Sequence, residues 1–422
     1  MNKNTIRSIK GTHDILPDQS WRWQQLENHV HAFMRRYGYR EIRTPAFEHT
    51  ELFARGVGAD TDIVSKEMYT FRDMSNNSIT LKPELTAPVI RSYLQHNLGK
   101  LTPLTKLYYI DHAFRQERPQ KGRYRQFHQY GVEVLGSPHP EIDAEIIALA
   151  YYSMIELGLK QLTIKLNSIG SAECRIAFRA ALQHFLKPHL GDLSETSRRR
   201  FDTNPLRILD TKIPHEIEIV QGAPAMSDYL TNEDVQHYNQ VKSHLNDLSI
   251  PYEEDNKLVR GLDYYTRTTF EIISPALGAQ NSVCGGGRYD RLIETLGGRP
   301  TPGIGFAAGI ERILMVQAAV NSQSEEPTVL VYLIVIDDDG RSTAFKLLHD
   351  LRGKGIKADM DYLRRSMKAQ LREANRLGAE LVLIIGSEEL KDGTVQFKNL
   401  KTGSQKAIPL DSVLAEISEK LD

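Results

Sequence analysis

FRQERPQKGRYRQFHQYGVE, residues 114–133, decides how the rest of the chain is read. Five of its side chains are Arg or Lys and four are Gln, interleaved with aromatic rings. On either side, LTKLYYIDHAFRQE and RQFHQYGVEVLG have the pattern of two strands, and the polar ERPQKGRY joins them. The segment is thus an arginine-rich hairpin. Arg115 falls just inside it, where a planar, permanently charged guanidinium suits phosphate oxygens. Arg118, Gln120, Lys121, Arg123 and Arg125 at the tip suit a sugar–phosphate backbone or base edges. Phe127 offers a flat ring for stacking. A charged tip that simply faces solvent explains the same composition, so the hairpin alone leaves both readings open.

The surrounding chain has 422 residues, a net charge of −1, 40% hydrophobic and 25% charged residues. Those values are ordinary for a globular protein of several domains. With no global charge, any site for a polyanion must be local. Cys174 and Cys284 are the two cysteines, and neither lies in a CxxC pair. No zinc site or disulfide framework is therefore expected, and the usage suits a reducing cytoplasm. MNKNTIRSIKGTHDILP lacks the apolar core of a signal peptide. The longest apolar run, VLVYLIVI at 329–336, is far short of the roughly 20 residues of a membrane span and reads as a buried strand. No membrane partner is expected. There is neither a GxGxxG opening a helix after a strand nor a GxxxxGK[ST]. A nucleotide would not be held in a Rossmann or P-loop manner.

Periodicity predicts a helix over 20–37, carried by Trp21, Leu26, Val30, Phe33 and Tyr37. MYTFRDMSNNSITLKPE reads as a hairpin turning at Asn76 and Asn77. Helices are expected over 84–97 and 140–157. From 171 to 240 the pattern becomes helices with polar connections, a candidate insertion. RGLDYYTRTTFE, 260–271, places Arg260, Asp263, Tyr264 and Tyr265 together in an expected strand. An ion pair within a sheet and a binding role explain it equally well. In GIGFAAGIERI, 303–313, Glu311 and Arg312 start an apolar helix, and small residues permit close backbone approach. Residues up to 320 thus read as antiparallel strands plus helices, an α+β unit. A polar linker, 321–327, leads to an alternating α/β unit over 328–422.

These segments together resemble the histidyl-tRNA synthetases, a family of class II aminoacyl-tRNA synthetases. The resemblance runs from KGTHDILP through LKPELTAP at 81–88, the hairpin, VRGLDYYTRTTFE and GGGRYDRL to GIGFAAGIERI. It implies an antiparallel catalytic sheet flanked by helices over 1–170 and 241–320. It further implies a helical insertion over 171–240 and an anticodon-binding domain over 328–422. It also implies a homodimer built partly through residues 36–47, histidine tRNA as partner, and work in the cytoplasm.

The same resemblance implies site residues. ATP falls to Arg115, Glu117, Phe127 and Arg312, with Arg115 on the α-phosphate and Phe127 and Arg312 on the two faces of adenine. Histidine falls to Glu84, Thr86, Gln129, Glu133, Arg260, Tyr264, Tyr265 and Tyr289. Glu84 matches the partner of the ammonium, while Glu133 and Tyr265 match those of the two ring nitrogens. Arg260 and Arg115 flank the α-phosphate as the catalytic cations. Arg118, Gln120, Arg123 and Arg125 would meet the tRNA acceptor end. Mg²⁺ would ride on the ATP phosphates, with its protein ligands left open and Glu311 not assigned to it. The triplet Arg198–Arg200 suits either a tRNA contact or a solvated helix face. Leu85 and Arg291 depart from residues common in the family. A related non-catalytic reading is the histidine-binding regulatory subunit of ATP phosphoribosyltransferase. Retention of Arg115, Arg260 and Arg312, and of residues 328–422, speaks against it.

Overall fold

Pro17 opens the first long helix, Pro17–Arg36, because a proline at the first helical position loses no hydrogen bond. Leu26, Val30, Phe33 and Met34 recur on one face of it and are buried. The computed structural model describes residues 6–59, 61–209, 211–320 and 330–419. The chain divides into two units, Met1–Gln323 and Ser324–Asp422. The expected linker at 321–327 lies outside the described residues. No helix among the described residues is long and apolar enough to cross a membrane.

The first unit contains eleven strands among its described residues. They are β1 (Arg40–Glu41), β2 (Phe47–His49), β3 (Tyr69–Arg72), β4 (Ser78–Leu81), β5 (Thr105–Phe114) and β6 (Gln126–Leu135), then β7 (Thr163–Ser168), β8 (Glu253–Glu254), β9 (Thr266–Ile273), β10 (Ser282–Arg288) and β11 (Gly303–Gly309). Eight form one sheet in the order β1-β5-β6-β11-β10-β9-β7-β8. All internal pairings are antiparallel, and only the edge strands β1 and β8 pair in parallel. β2, β4 and β3 make a small second sheet, whose hairpin turns at Asn76 with φ 67°. One face of the large sheet presents Tyr130, Val132, Val134, Ile304 and Phe306. These pack with buried residues of the helices Pro17–Arg36 and Pro140–Glu156. Each such side chain contributes about 1.5–3 kcal/mol on burial.

Two expectations need correction. RGLDYY is not strand. β9 begins only at Thr266, and residues 260–265 form an irregular turn before it. Their backbone groups find partners outside any ladder, among them Asp263 N donating to Val57 O at 3.2 Å. Gly261 and Asp263 are turn-formers, and the segment lacks alternation. Second, residue 240 falls inside the helix Asn232–Asp247, which is capped by Thr231. Val241 and Leu245 of that helix join the main core. A separate core runs from Cys174 and Phe178 to Met226 and Leu230. The helical layer with its own packing therefore ends near Thr231.

The second unit carries β12 (Val331–Val335), β13 (Ala358–Met360), β14 (Leu381–Ile385), β15 (Thr394–Asn399) and β16 (Gln405–Pro409), in the order β13-β12-β14-β15-β16. β13, β12 and β14 are parallel, and β15 and β16 antiparallel. Val331, Leu333 and Val335 pack with the helix Gly340–Gly353, whereas Tyr332 and Ile334 pack with Ala374 of the helix Met367–Arg376. Burial on both faces is why this stretch is an unbroken apolar run.

Candidate active site

The face of the large sheet opposite the helical core carries the polar set. Alternation along β6 puts Phe127, Gln129, Gly131 and Glu133 on that face. Paired with them across β5 are Ala113, Asp111, Tyr109 and Leu107. Glycines on β10 and β11 make the space. A Cβ on Gly285 would lie 2.0 Å from Arg260 Nη2, and one on Gly305 would lie 2.1 Å from Glu133 Oε2. Gly286, on the opposite face, is instead covered by Phe270 and Phe306.

Glu133 is 1% exposed. It accepts hydrogen bonds from Thr86 Oγ1 at 2.8 Å, from Tyr109 OH at 3.3 Å and from the Tyr289 hydroxyl. Burial pushes its carboxyl up to about 8, against the pull of the hydroxyls and with help from Glu84. Glu84 is also buried. It accepts from the amides of Thr86 at 2.9 Å and Ala87 at 2.8 Å, at the start of the helix Thr86–Gln95. Burial raises its pKa too, although those amides oppose the rise. Tyr264 and Tyr265 are buried with ring centroids 4.8 Å apart, and Tyr264 lies 5.6 Å from the Tyr289 ring. Two carboxyls and four phenols thus converge in one buried cluster.

The arginines border it. Arg260 rests on Gly285 and donates to Glu271 Oε1 at 2.8 Å. Burial works against its charge, yet Glu271, with Tyr265 and Cys284, raises the pKa on balance. Its Nε is buried with no hydrogen-bond partner among the described residues, a vacancy of the kind that ligands fill. Arg115 donates Nε to Pro83 O at 2.9 Å, beside Glu84, and its guanidinium sits 5.2 Å from the Phe127 ring centroid. Arg312 donates Nε to Gly122 O at 3.0 Å and Nη1 to Ser282 O. Arg312 thus holds the hairpin tip down.

At that tip Arg118, Gln120 and Arg123 are exposed, and Arg123 Nη1 is 3.4 Å from Glu117 Oε2. Arg125 is placed differently. It donates to Glu117 O at 3.3 Å and Lys10 O at 3.2 Å, while its amide donates to Gly11 O at 2.7 Å. Arg125 therefore ties KGTHDILP to the hairpin and is not part of the free tip. Glu311 accepts from His128 N and lies 2.9 Å from His128 Nδ1. Of the arginine triplet, Arg200 pairs with Asp62 at 2.6 Å, while Arg198 and Arg199 are exposed. Leu85 is buried and Arg291 is exposed. Sequence reading passed over Tyr109, Glu271 and Glu67. Tyr109 was discoverable as the cross-strand partner of Gly131, two residues from Glu133. Glu271 shares the site face with Gly285, its partner in β10. Glu67, whose pKa burial raises despite Arg115 nearby, left no signal.

Such a face, glycine-paved and edged by arginines on an antiparallel sheet, is the arrangement that the resemblance to class II synthetases implies. Comparison with known proteins agrees. A family model described as "Histidyl-tRNA synthetase" matches residues 11–313, and one described as "Anticodon binding domain" matches residues 330–420. A histidine–tRNA ligase of Moorella thermoacetica is 49% identical over 409 residues, covering 96% of each chain. That of Acetivibrio thermocellus is 46% identical, covering 97% of this chain and 98% of its own. The crystal structure of apo S. aureus histidyl-tRNA synthetase is 40% identical, with a TM-score of 0.83 over 98% of this chain and 99% of that one. The chain belongs to the histidyl-tRNA synthetase family.

Proposed function

We propose that the glycine-paved face performs both steps of histidine–tRNA ligation. The chain is a ligase that charges histidine tRNA, splitting ATP into AMP and pyrophosphate. In the first step a histidine carboxylate oxygen bonds to the α-phosphorus, and the bond to the pyrophosphate oxygen breaks. In the second, the terminal ribose 3′-OH of the tRNA attacks the histidyl carbonyl and AMP leaves. Both reactants of the first step are anions, so alignment and charge neutralisation dominate the barrier. Arg260 and Arg115 supply that charge on either side of the α-phosphate. Glu271 and Gly285 hold the first, and Pro83 O and Phe127 the second. Phe127 and Arg312 take the adenine between them. For that, Arg312 exchanges its hold on Gly122, and Glu117 follows the tip.

Glu84 and Thr86 face the ammonium, Glu133 and Tyr265 the two imidazole nitrogens, and Gln129 and Tyr264 complete the wall with Tyr289. The observation that carries this reading is the burial of Glu84 and Glu133 together beside Arg115 and Arg260. A smaller or apolar amino acid leaves those groups unpaired, which costs far more than a poor fit. Mg²⁺ fits as a companion of the ATP phosphates. No cluster of three or more metal-ligating side chains is found among the described residues, so phosphate oxygens would be its main ligands. It would screen the charge of the leaving pyrophosphate.

Arg118, Gln120 and Arg123 reach the acceptor end, with the helical layer between Cys174 and Leu230 as an insertion beside it and 328–422 on the anticodon. The chain pairs with a second copy through residues 36–47. Edge strand β1 and the exposed Phe47, 54% accessible, support that surface. Its substrates place it in the cytoplasm.

The test is ATP–pyrophosphate exchange with Mg²⁺ and each of the twenty amino acids. Histidine alone should support exchange, and Arg260→His should lose it by roughly a hundredfold or more while staying folded. Exchange with another amino acid would overturn the pocket assignment. Histidine binding without exchange would favour the regulatory-subunit reading.

A further inference from the structure

Three of the proposed pocket residues, Arg260, Tyr264 and Tyr265, lie in a segment outside every sheet ladder. Residues 260–265 precede β9 and make no ladder. Asp263 N reaches Val57 O on one side, and the Asp263 side chain lies against Gly58. On the other side, four hydrogen bonds come from the helical layer between Cys174 and Leu230. Arg175 donates Nη1 to Tyr265 O at 2.5 Å and Nη2 to Asp263 O at 3.3 Å. Arg207 donates Nη2 to Gly261 O at 2.8 Å. Asn204 donates Nδ2 to Asp263 Oδ1 at 2.7 Å.

Arg200 and Arg207 also approach Asp62, at 2.6 and 3.7 Å. The layer therefore grips both the segment and the strip of chain behind it. Arg175 is largely buried, and burial depresses its pKa while Asp263 opposes the loss. A charged group placed there at that cost, donating to two carbonyls of one short segment, fixes the segment's path. On the sheet side Arg260 donates to Glu271 Oε1 at 2.8 Å, whereas the backbone carbonyls of Gly261, Asp263 and Tyr265 are held from the helical layer.

We propose that Arg175, Asn204 and Arg207 are positioning residues for the histidine pocket, so that the helical layer sets the affinity for the amino acid by shaping residues 260–265. The inference rests on the assignment of Arg260, Tyr264 and Tyr265 to that pocket. It links a part of the chain remote from the catalytic sheet to amino-acid selection in the absence of tRNA. Of the groups proposed for ATP, Arg115, Phe127 and Arg312 lie outside these contacts, and Arg260, which both substrates share at the α-phosphate, is held separately by Glu271 and Gly285.

The experiment is ATP–pyrophosphate exchange by the full chain without tRNA, measuring KM for histidine and for ATP together with Tm. Asn204→Asp keeps the shape but removes the donor and sets a second carboxylate against Asp263. It should raise KM for histidine roughly tenfold or more, since hydrogen bonds to charged groups are the stronger ones. KM for ATP and Tm should stay near those of the parent. Asp263→Asn added to Asn204→Asp restores the bond with donor and acceptor exchanged, and should recover most of the loss. Arg175→Gln should behave like Asn204→Asp. Arg199→Ala, exposed in the same helical layer, is a control that should change nothing.

Unchanged histidine KM in both Asn204→Asp and Arg175→Gln would overturn the inference. Equal rises in both KM values with a fallen Tm would overturn it too, by assigning these residues a structural role only. Arg260→His and Tyr265→Phe separate the two levels. Parental exchange in both would sink the pocket assignment itself. Defective exchange there, with a parental histidine KM in the Asn204 and Arg175 variants, would sink only the link to the helical layer.

Discussion

Glu133 shows how a single side chain acquires chemistry from its neighbours. A free glutamate is ionised at neutral pH. Here burial raises the carboxyl to about 8, which favours its protonated form at pH 7 before histidine binds. A carboxylate that accepts from an imidazole N–H must first lose that proton. Histidine should therefore bind more tightly as pH rises from about 7 to about 8, above the titration of free imidazole, and then level off. Glu133→Gln should flatten the slope and weaken binding by roughly tenfold or more. Titration calorimetry in buffers of differing ionisation enthalpy should register proton release. A slope of opposite sign would mean that Glu133 keeps its proton and donates it to the ring. The stability sign runs the other way. A raised carboxyl favours the fold most below its ordinary value near 4.5, and that contribution is lost as pH climbs through about 8.

Strand β10 shows how adjacent positions of one element separate function from stability. Gly285 and Gly286 are neighbours on opposite faces. A methyl on Gly285 meets the far end of a flexible side chain, the Arg260 guanidinium. Gly285→Ala should fold normally but displace the catalytic cation, lowering kcat for exchange by roughly a hundredfold. A methyl on Gly286 meets Gly305 O at 2.4 Å and Phe306 Cβ at 2.6 Å, which cannot swing aside. Gly286→Ala should cost about 1–3 kcal/mol or more of stability, as overpacking does. Urea unfolding and exchange kinetics on the two variants would check this. Equal effects on both quantities would refute the division of faces. The turn at 260–265 teaches the converse. Its aromatic residues suggest a strand, yet hydrogen bonds from distant arginines hold it outside the ladder.

For the entire chain, the two units have separate hydrophobic cores, one centred on the large sheet and one on β12 and β14. Residues 1–323 should therefore retain histidine-dependent ATP–pyrophosphate exchange within a few-fold of the parent. Charging of histidine tRNA should fall by roughly a hundredfold or more, because a second tethered contact multiplies affinity. Both forms should sediment as dimers if residues 36–47 build the interface. Loss of exchange on truncation would mean that the second unit supports the first. A monomer at assay concentration would remove the dimer reading.

Much of this protein was written in local pattern. Alternation along 105–114 and 126–135 announced β5 and β6, and helical spacing announced Pro17–Arg36 and Pro140–Glu156. The order of short motifs carried the family and most of the polar set, since Glu84, Glu133, Arg115, Arg260 and Arg312 stand in those motifs. What pattern could not carry is whatever depends on neighbours through space. Glu271 became a site residue because a glycine across the ladder leaves room for Arg260. Arg125 left the tip because Gly11 and Lys10 fold back onto it. The raised pKa of Glu133 follows from burial and from the nearby Glu84, against the hydrogen bonds of Tyr109, Thr86 and Tyr289. Desolvation and hydrogen-bond partnership are properties of packed surroundings, and residues far apart in sequence supply them. Chain order is a record of local preference, so it names the groups at the site, while packing sets their charge, orientation and partners.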